Sequence, residues 1–92
     1  MGRRVIFDPN AKDEYEYWKK ENAKIVERIR ELIGSIKKDP FKGLGKPEPL
    51  KHGLQGYWSR RIDKVNRLVY AVKNDEIIVI SCRHHYEKYF NL

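Results

Sequence analysis

Three short stretches of this 92-residue chain hold residue types able to move protons and grip a phosphate. Glu48 lies between two prolines in GKPEPLKH, Arg67 opens the apolar run in NRLVYAV, and His85-Tyr86 follow Arg83 and His84 in SCRHHYEKYF. A carboxylate accepts a proton, an arginine fork holds two phosphate oxygens, and a histidine with an ordinary pKa of about 6.5 donates a proton near neutrality. These types together suit cleavage of RNA by its own 2′-hydroxyl. One group takes the hydroxyl proton, another protonates the departing 5′ oxygen, and a cation stabilises the charge gathering on phosphorus. That route needs no metal and no cofactor.

Each residue also has a plainer reading. A glutamate between prolines in a basic stretch is commonly a solvated charge or an ion-pair partner. Arg67 at a strand edge can pair with a carboxylate such as Asp63, or hold phosphate without chemistry. Adjacent residues of an extended chain point to opposite sides, so His84 and His85 are poorly placed to share a metal. His52 is the third histidine and Cys82 the one thiol, a weak set for a metal site. Tyr86, Tyr89 and Phe90 can dock as an apolar terminus or stack on unpaired bases.

The elements that must carry these residues are readable. Arg4 to Phe7 suits a short strand, and Asp8-Pro9 offers an N-cap with proline at the first helical position. Across the first helix, Asn10 to Lys20, Ala11, Tyr15 and Trp18 recur on one face, with Asp13 and Glu14 early and Lys19 and Lys20 late as the helix dipole favours. Glu21-Asn22 breaks it. Ile25, Ile29, Leu32, Ile33 and Ile36 form the stripe of a second helix that Asp39-Pro40 stops, giving an antiparallel hairpin in search of an apolar surface.

Residues 40–56 hold three of the four prolines and four of the six glycines, so a long basic loop is expected, and loops of that length are usually functional. Three strands should follow as an antiparallel meander: Tyr57 to Ile62, Arg67 to Val72, and Glu76 to about Arg83. Leu68, Tyr70 and Val72 share one face of the middle strand and Arg67, Val69 and Ala71 the other. The expected fold is a single α+β domain over residues 1–92, with helices on one sheet face and the other face free to work.

Twenty Lys and Arg against thirteen Asp and Glu leave a net charge of +7, which points to polyanions or an acidic protein. Lys42, Lys46, Lys51, Arg60, Arg61 and Arg83 could form a phosphate track or serve solubility alone. No stretch approaches the roughly 20 apolar residues of a membrane span, and the N-terminus lacks a signal-peptide core. With a single cysteine, expected to be packed inside, these features suggest a soluble cytoplasmic protein.

Several uncommon motifs in one order carry a resemblance. YWKKENAKIVERIRELI, DPFKGLGKPEPL, GKPEPLKHGLQGYWSRRI, NRLVYAV and CRHHY together resemble the YoeB (Txe/YoeB) family of toxins in the RelE/ParE superfamily. The resemblance implies a helical hairpin against an antiparallel sheet, and an activity: translation-dependent cleavage of mRNA in the ribosomal A site, without a metal. A cognate antitoxin, here expected to be acidic, would neutralise it. On this resemblance Glu48 is the general base, Arg67 the phosphate-binding arginine, His85 the general acid and Tyr86 an orienting residue. The shared segments LKH and SRR imply contacts to RNA or ribosome at Lys51, His52, Arg60 and Arg61, and Arg83 is a candidate phosphate neighbour beside them. Arg60 and Arg61 would point to opposite faces of a regular strand, leaving one of them structural. Two departures from the family stand out: His84 replaces a frequent aromatic residue, and Glu87 to Leu92 extend past the His-Tyr pair, where they could cover the site or lie beside it.

Two other classes compete with a nuclease. A noncatalytic relative inhibiting DNA gyrase would have no reason to hold Glu48, Arg67 and His85 together, and a harmless RNA-binding module would not arrest growth. The sequence leaves the oligomeric state open, a homodimer included.

Overall fold

The computed structural model describes residues 3–51 and 56–84. Strand β1 spans Arg4–Phe7, helix α1 Pro9–Glu21 and helix α2 Ala23–Lys38; β2 is the dipeptide Glu48–Pro49, followed by β3 (Tyr57–Arg61), β4 (Arg67–Lys73) and β5 (Glu76–Ser81). The caps act as their residue types dictate. The Asp8 carboxylate accepts the Ala11 N–H at 2.8 Å, and Pro9 opens α1 without wasting a donor. Asn22 serves both helices: its N–H donates to the Trp18 carbonyl at 2.8 Å while its Oδ1 accepts from Lys24 and Ile25. Arg30 Nε donates to Tyr15 Oη at 3.1 Å, and these residues stand nearly equally far from Asn22, so the helices fold back on one another.

The sheet order is β1-β5-β4-β3-β2. The expected meander is present as β3, β4 and β5, extended on both sides. β1 joins parallel to β5, with Val5 opposite Ile77, and β2 joins antiparallel to β3, with Glu48 opposite Ser59. The loop over residues 40–56 thus contains a strand, contrary to the sequence expectation, because a two-residue segment sets no period of its own. β5 also stops at Ser81 rather than near Arg83.

The core lies between sheet and helices. Ile29, Leu32 and Ile36 of α2 meet Leu68, Tyr70, Ile77 and Val79, with Ala11 and Cys82 among them, all at most a few per cent exposed. Burying each large aliphatic side chain contributes about 1.5 to 3 kcal/mol, so the α2 stripe is a principal source of stability. Val69 and Ala71 on the opposite sheet face are also buried, so only part of that face is open.

Candidate active site

Glu48 reaches the sheet through a loop with little freedom. After α2, Gly43 and Gly45 take φ values of +122° and +81°. A Cβ at Gly43 would overlap Ser35 Oγ, and one at Gly45 would lie 2.7 Å from Leu32 Cδ2, so the chain passes too close to α2 for a side chain. The loop is then fixed from inside by Arg60. Its guanidinium donates to Tyr70 Oη (3.0 Å), Ser35 Oγ (2.7 Å) and the carbonyls of Leu44 (3.0 Å), Asp39 (2.7 Å) and Lys42 (3.0 Å). Arg60 is fully buried. Its expected role as an RNA contact is therefore corrected: an odd-even step along β3 turns it into the domain while Arg61 stays exposed.

Tyr70 completes this hub by donating its hydroxyl to the Pro40 carbonyl at 2.7 Å. Burial raises the phenol pKa above its usual 10.0, although the hydrogen bond and charge of Arg60 pull the other way. Leu50 N–H and Arg61 N–H complete the attachment by donating to Tyr57 and Gly45 carbonyls.

Glu48, Ser59 and Arg67 then meet on the sheet face turned away from the helices. Arg67 Nη1 donates to Glu48 Oε1 at 2.7 Å and lies 3.4 Å from Ser59 Oγ. The Arg67 side chain is 11% exposed and that of Glu48 48%, so a nearly buried cation holds an accessible carboxylate. Arg67 does pair with a carboxylate, as one reading of the sequence allowed, but with Glu48 rather than Asp63. Asp63 turns inward on its own turn, accepting from the backbone N–H groups of Val65 and Asn66 and from the Asn66 amide. Burial raises its pKa, but those hydrogen bonds outweigh it and leave the carboxyl below its usual 3.8.

The stretch leading to His85 is anchored on several sides. Glu14 Oε1 accepts from Ser81 Oγ (3.0 Å) and Cys82 N–H (2.8 Å), and Trp18 Nε1 donates to the Cys82 carbonyl at 2.8 Å. Arg83 lays its guanidinium 3.6 Å over the Tyr17 ring, a cation–π contact that sets its direction. Asn66 Oδ1 accepts the His84 N–H at 2.6 Å. His85, Tyr86 and His52 lie outside the described residues, as does the extension 87–92. Lys51 and Arg61 are exposed. Ser59, Asn66 and the α1 residues Glu14, Tyr17 and Trp18 also hold this region; the sequence marks Glu14 only as a dipole charge and Trp18 only as an apolar-face residue, because their partners Ser81 and Cys82 are distant in the chain.

Among the described residues no cluster of histidine, cysteine or acidic side chains could hold a metal, and no helix is long and apolar enough to cross a membrane. A shallow groove on α2, lined by Arg28, Glu31, Gly34, Ser35, Lys38 and Leu44, includes neither Glu48 nor Arg67.

YafQ from E. coli, only 13% identical, superposes with a TM-score of 0.75 over 95% of this chain and 98% of its own, which shows a shared fold. Residues 7–86 match the model of the YoeB-like toxin of bacterial type II toxin-antitoxin systems, and the chain belongs to that family. The toxin YoeB of Escherichia coli (strain K12) is 48% identical over 83 residues, covering 90% of this chain and 99% of the relative. A YoeB/ParE toxin from Agrobacterium tumefaciens, 46% identical, has a TM-score of 0.88 over 90% of this chain and 99% of its own. The toxin in a YoeB-YefM complex from Staphylococcus aureus, 44% identical, superposes at 0.83 over 91% and 98%.

Proposed function

We propose that this toxin is a ribosome-dependent endoribonuclease that cuts mRNA in the A site and so stops translation. The observation that carries the reading is the Arg67–Glu48 contact of 2.7 Å on the sheet face away from the helices. A scissile phosphate entering here competes with Glu48 for the Arg67 fork, which frees the carboxylate beside the reacting ribose. Glu48 takes the proton of the 2′-hydroxyl, whose oxygen attacks phosphorus. The P–O5′ bond breaks, the 5′ oxygen takes a proton from His85, and a 2′,3′-cyclic phosphate remains on the upstream fragment. Arg67 stabilises the charge on the phosphoryl oxygens throughout, and Tyr86 orients the substrate.

Lys51, His52, Arg61 and Arg83 supply phosphate contacts on RNA or ribosome, where the net charge of +7 favours association. By the same reading the natural partner is an antitoxin whose acidic segment folds across the basic surface. The S. aureus YoeB-YefM complex and YoeB dimer make a partner chain and a second copy the natural assemblies to test. The experiment adds the purified chain to translating ribosomes and maps message ends. A-site cuts by the parent, lowered about 10²- to 10⁴-fold in Glu48→Gln, support the reading. Intact messages, above all beside inhibited DNA gyrase, would reverse it.

A further inference from the structure

The backbone of His84 is gripped by two consecutive residues, Asn66 at the end of the β3–β4 turn and Arg67 at the start of β4. Asn66, 8% exposed, accepts the His84 N–H at 2.6 Å, and Arg67 N–H donates to the His84 carbonyl at 3.2 Å. Both backbone groups of His84 are thus tied to the junction of this turn with β4, the strand that Arg67 opens. His84 takes φ of +73°, a left-handed conformation that a non-glycine residue keeps only where its surroundings hold it. The Asn66 side chain is itself aimed: its Nδ2 donates to both Asp63 carboxylate oxygens at 3.2 Å, which leaves its Oδ1 to face the His84 N–H.

We propose that Asn66 is a positioning residue, aimed by Asp63, that fixes the left-handed turn at His84 against the Arg67 backbone. Consecutive Cα atoms are about 3.8 Å apart, so a shift at His84 passes directly into the next residue. The inference deepens the proposed nuclease reading and rests on it. It explains why a polar side chain is buried in a surface turn, and it touches no reacting atom.

The test uses the full chain with Asn66→Ala, Asn66→Asp and the exchange Asp63→Asn/Asn66→Asp. The single Asn66→Asp change keeps an acceptor for His84 but sets two carboxylates against each other. In the exchange, an asparagine at 63 keeps an oxygen for the turn N–H groups and offers its amide to the new carboxylate at 66. Both single variants should lower single-turnover cleavage about 10²-fold, the cost of misplacing a reacting group by about 1 Å, while ribosome affinity holds. The exchange should restore most of the rate. In parallel, the His84 amide should exchange slowly in the parent and the exchange variant, and fast in Asn66→Ala. Single variants that cut like the parent, an exchange variant no better than Asn66→Asp, or a His84 amide indifferent to residue 66 would each overturn the proposal. A parent that cuts nothing would sink the nuclease reading, and the amide measurement alone would then decide whether Asn66 holds the turn.

Discussion

Two neighbouring arginines of like appearance do opposite work. Arg60 spends every donor inside the protein, whereas Arg61 stays at the surface. Replacing Arg60 by methionine leaves the Tyr70 hydroxyl, Ser35 and three carbonyls without their donor, and thermal or urea unfolding should show a loss of roughly 3 kcal/mol or more. Arg61→Met should stay within about 0.5 kcal/mol and weaken RNA or ribosome binding instead. The sequence allowed one of the pair to be structural but not which, because the parity of β3 is set by its register with β4, Arg60 opposite Leu68. Tyr70 adds a pH signature. Its pKa is raised in the folded state, so its contribution is complete below the ordinary 10.0 and is lost as pH rises through the folded value. Stability should therefore fall above about pH 10, more steeply in the parent than in Tyr70→Phe, as denaturant titrations across that range would reveal.

Elements with local signals were legible, and elements made by distant pairing were not. Asp8-Pro9, the Ile25 to Ile36 stripe and Asp39-Pro40 placed both helices almost to the residue, because caps and periodicity act within a few positions. Glu14 shows the limit of that approach: it reads as a dipole charge early in α1, yet its carboxylate spans to Ser81 and Cys82 at the far end of the chain. The parallel pairing of β1 with β5 and the two-residue β2 depend on register between remote segments, and β2 is what sets Glu48 opposite Ser59. Asn22 is the most exposed test of the local account, since one side chain caps α2 while its backbone ends α1. Asn22→Ala should cost about 1 kcal/mol, read as a lower unfolding midpoint with an unchanged denaturant slope.

At the scale of the whole molecule, the helices build one side of a sheet whose other side presents a charged pair. Glu48 and Arg67, proposed as general base and phosphate-binding arginine, form that pair at 2.7 Å, a convergence that chain order alone does not show. The net charge of +7 suits a polyanionic partner. If this surface cuts messages through their own 2′-hydroxyl, as proposed, the position and chemistry of the ends it makes reveal it most directly. On translating ribosomes the expected result is cuts in the A-site codon, with a 2′,3′-cyclic phosphate upstream and a 5′-hydroxyl downstream, and almost none with Glu48→Gln or His85→Ala. Uncut messages, cuts independent of the ribosome, 5′-phosphate ends, or variants that cut like the parent would contradict it.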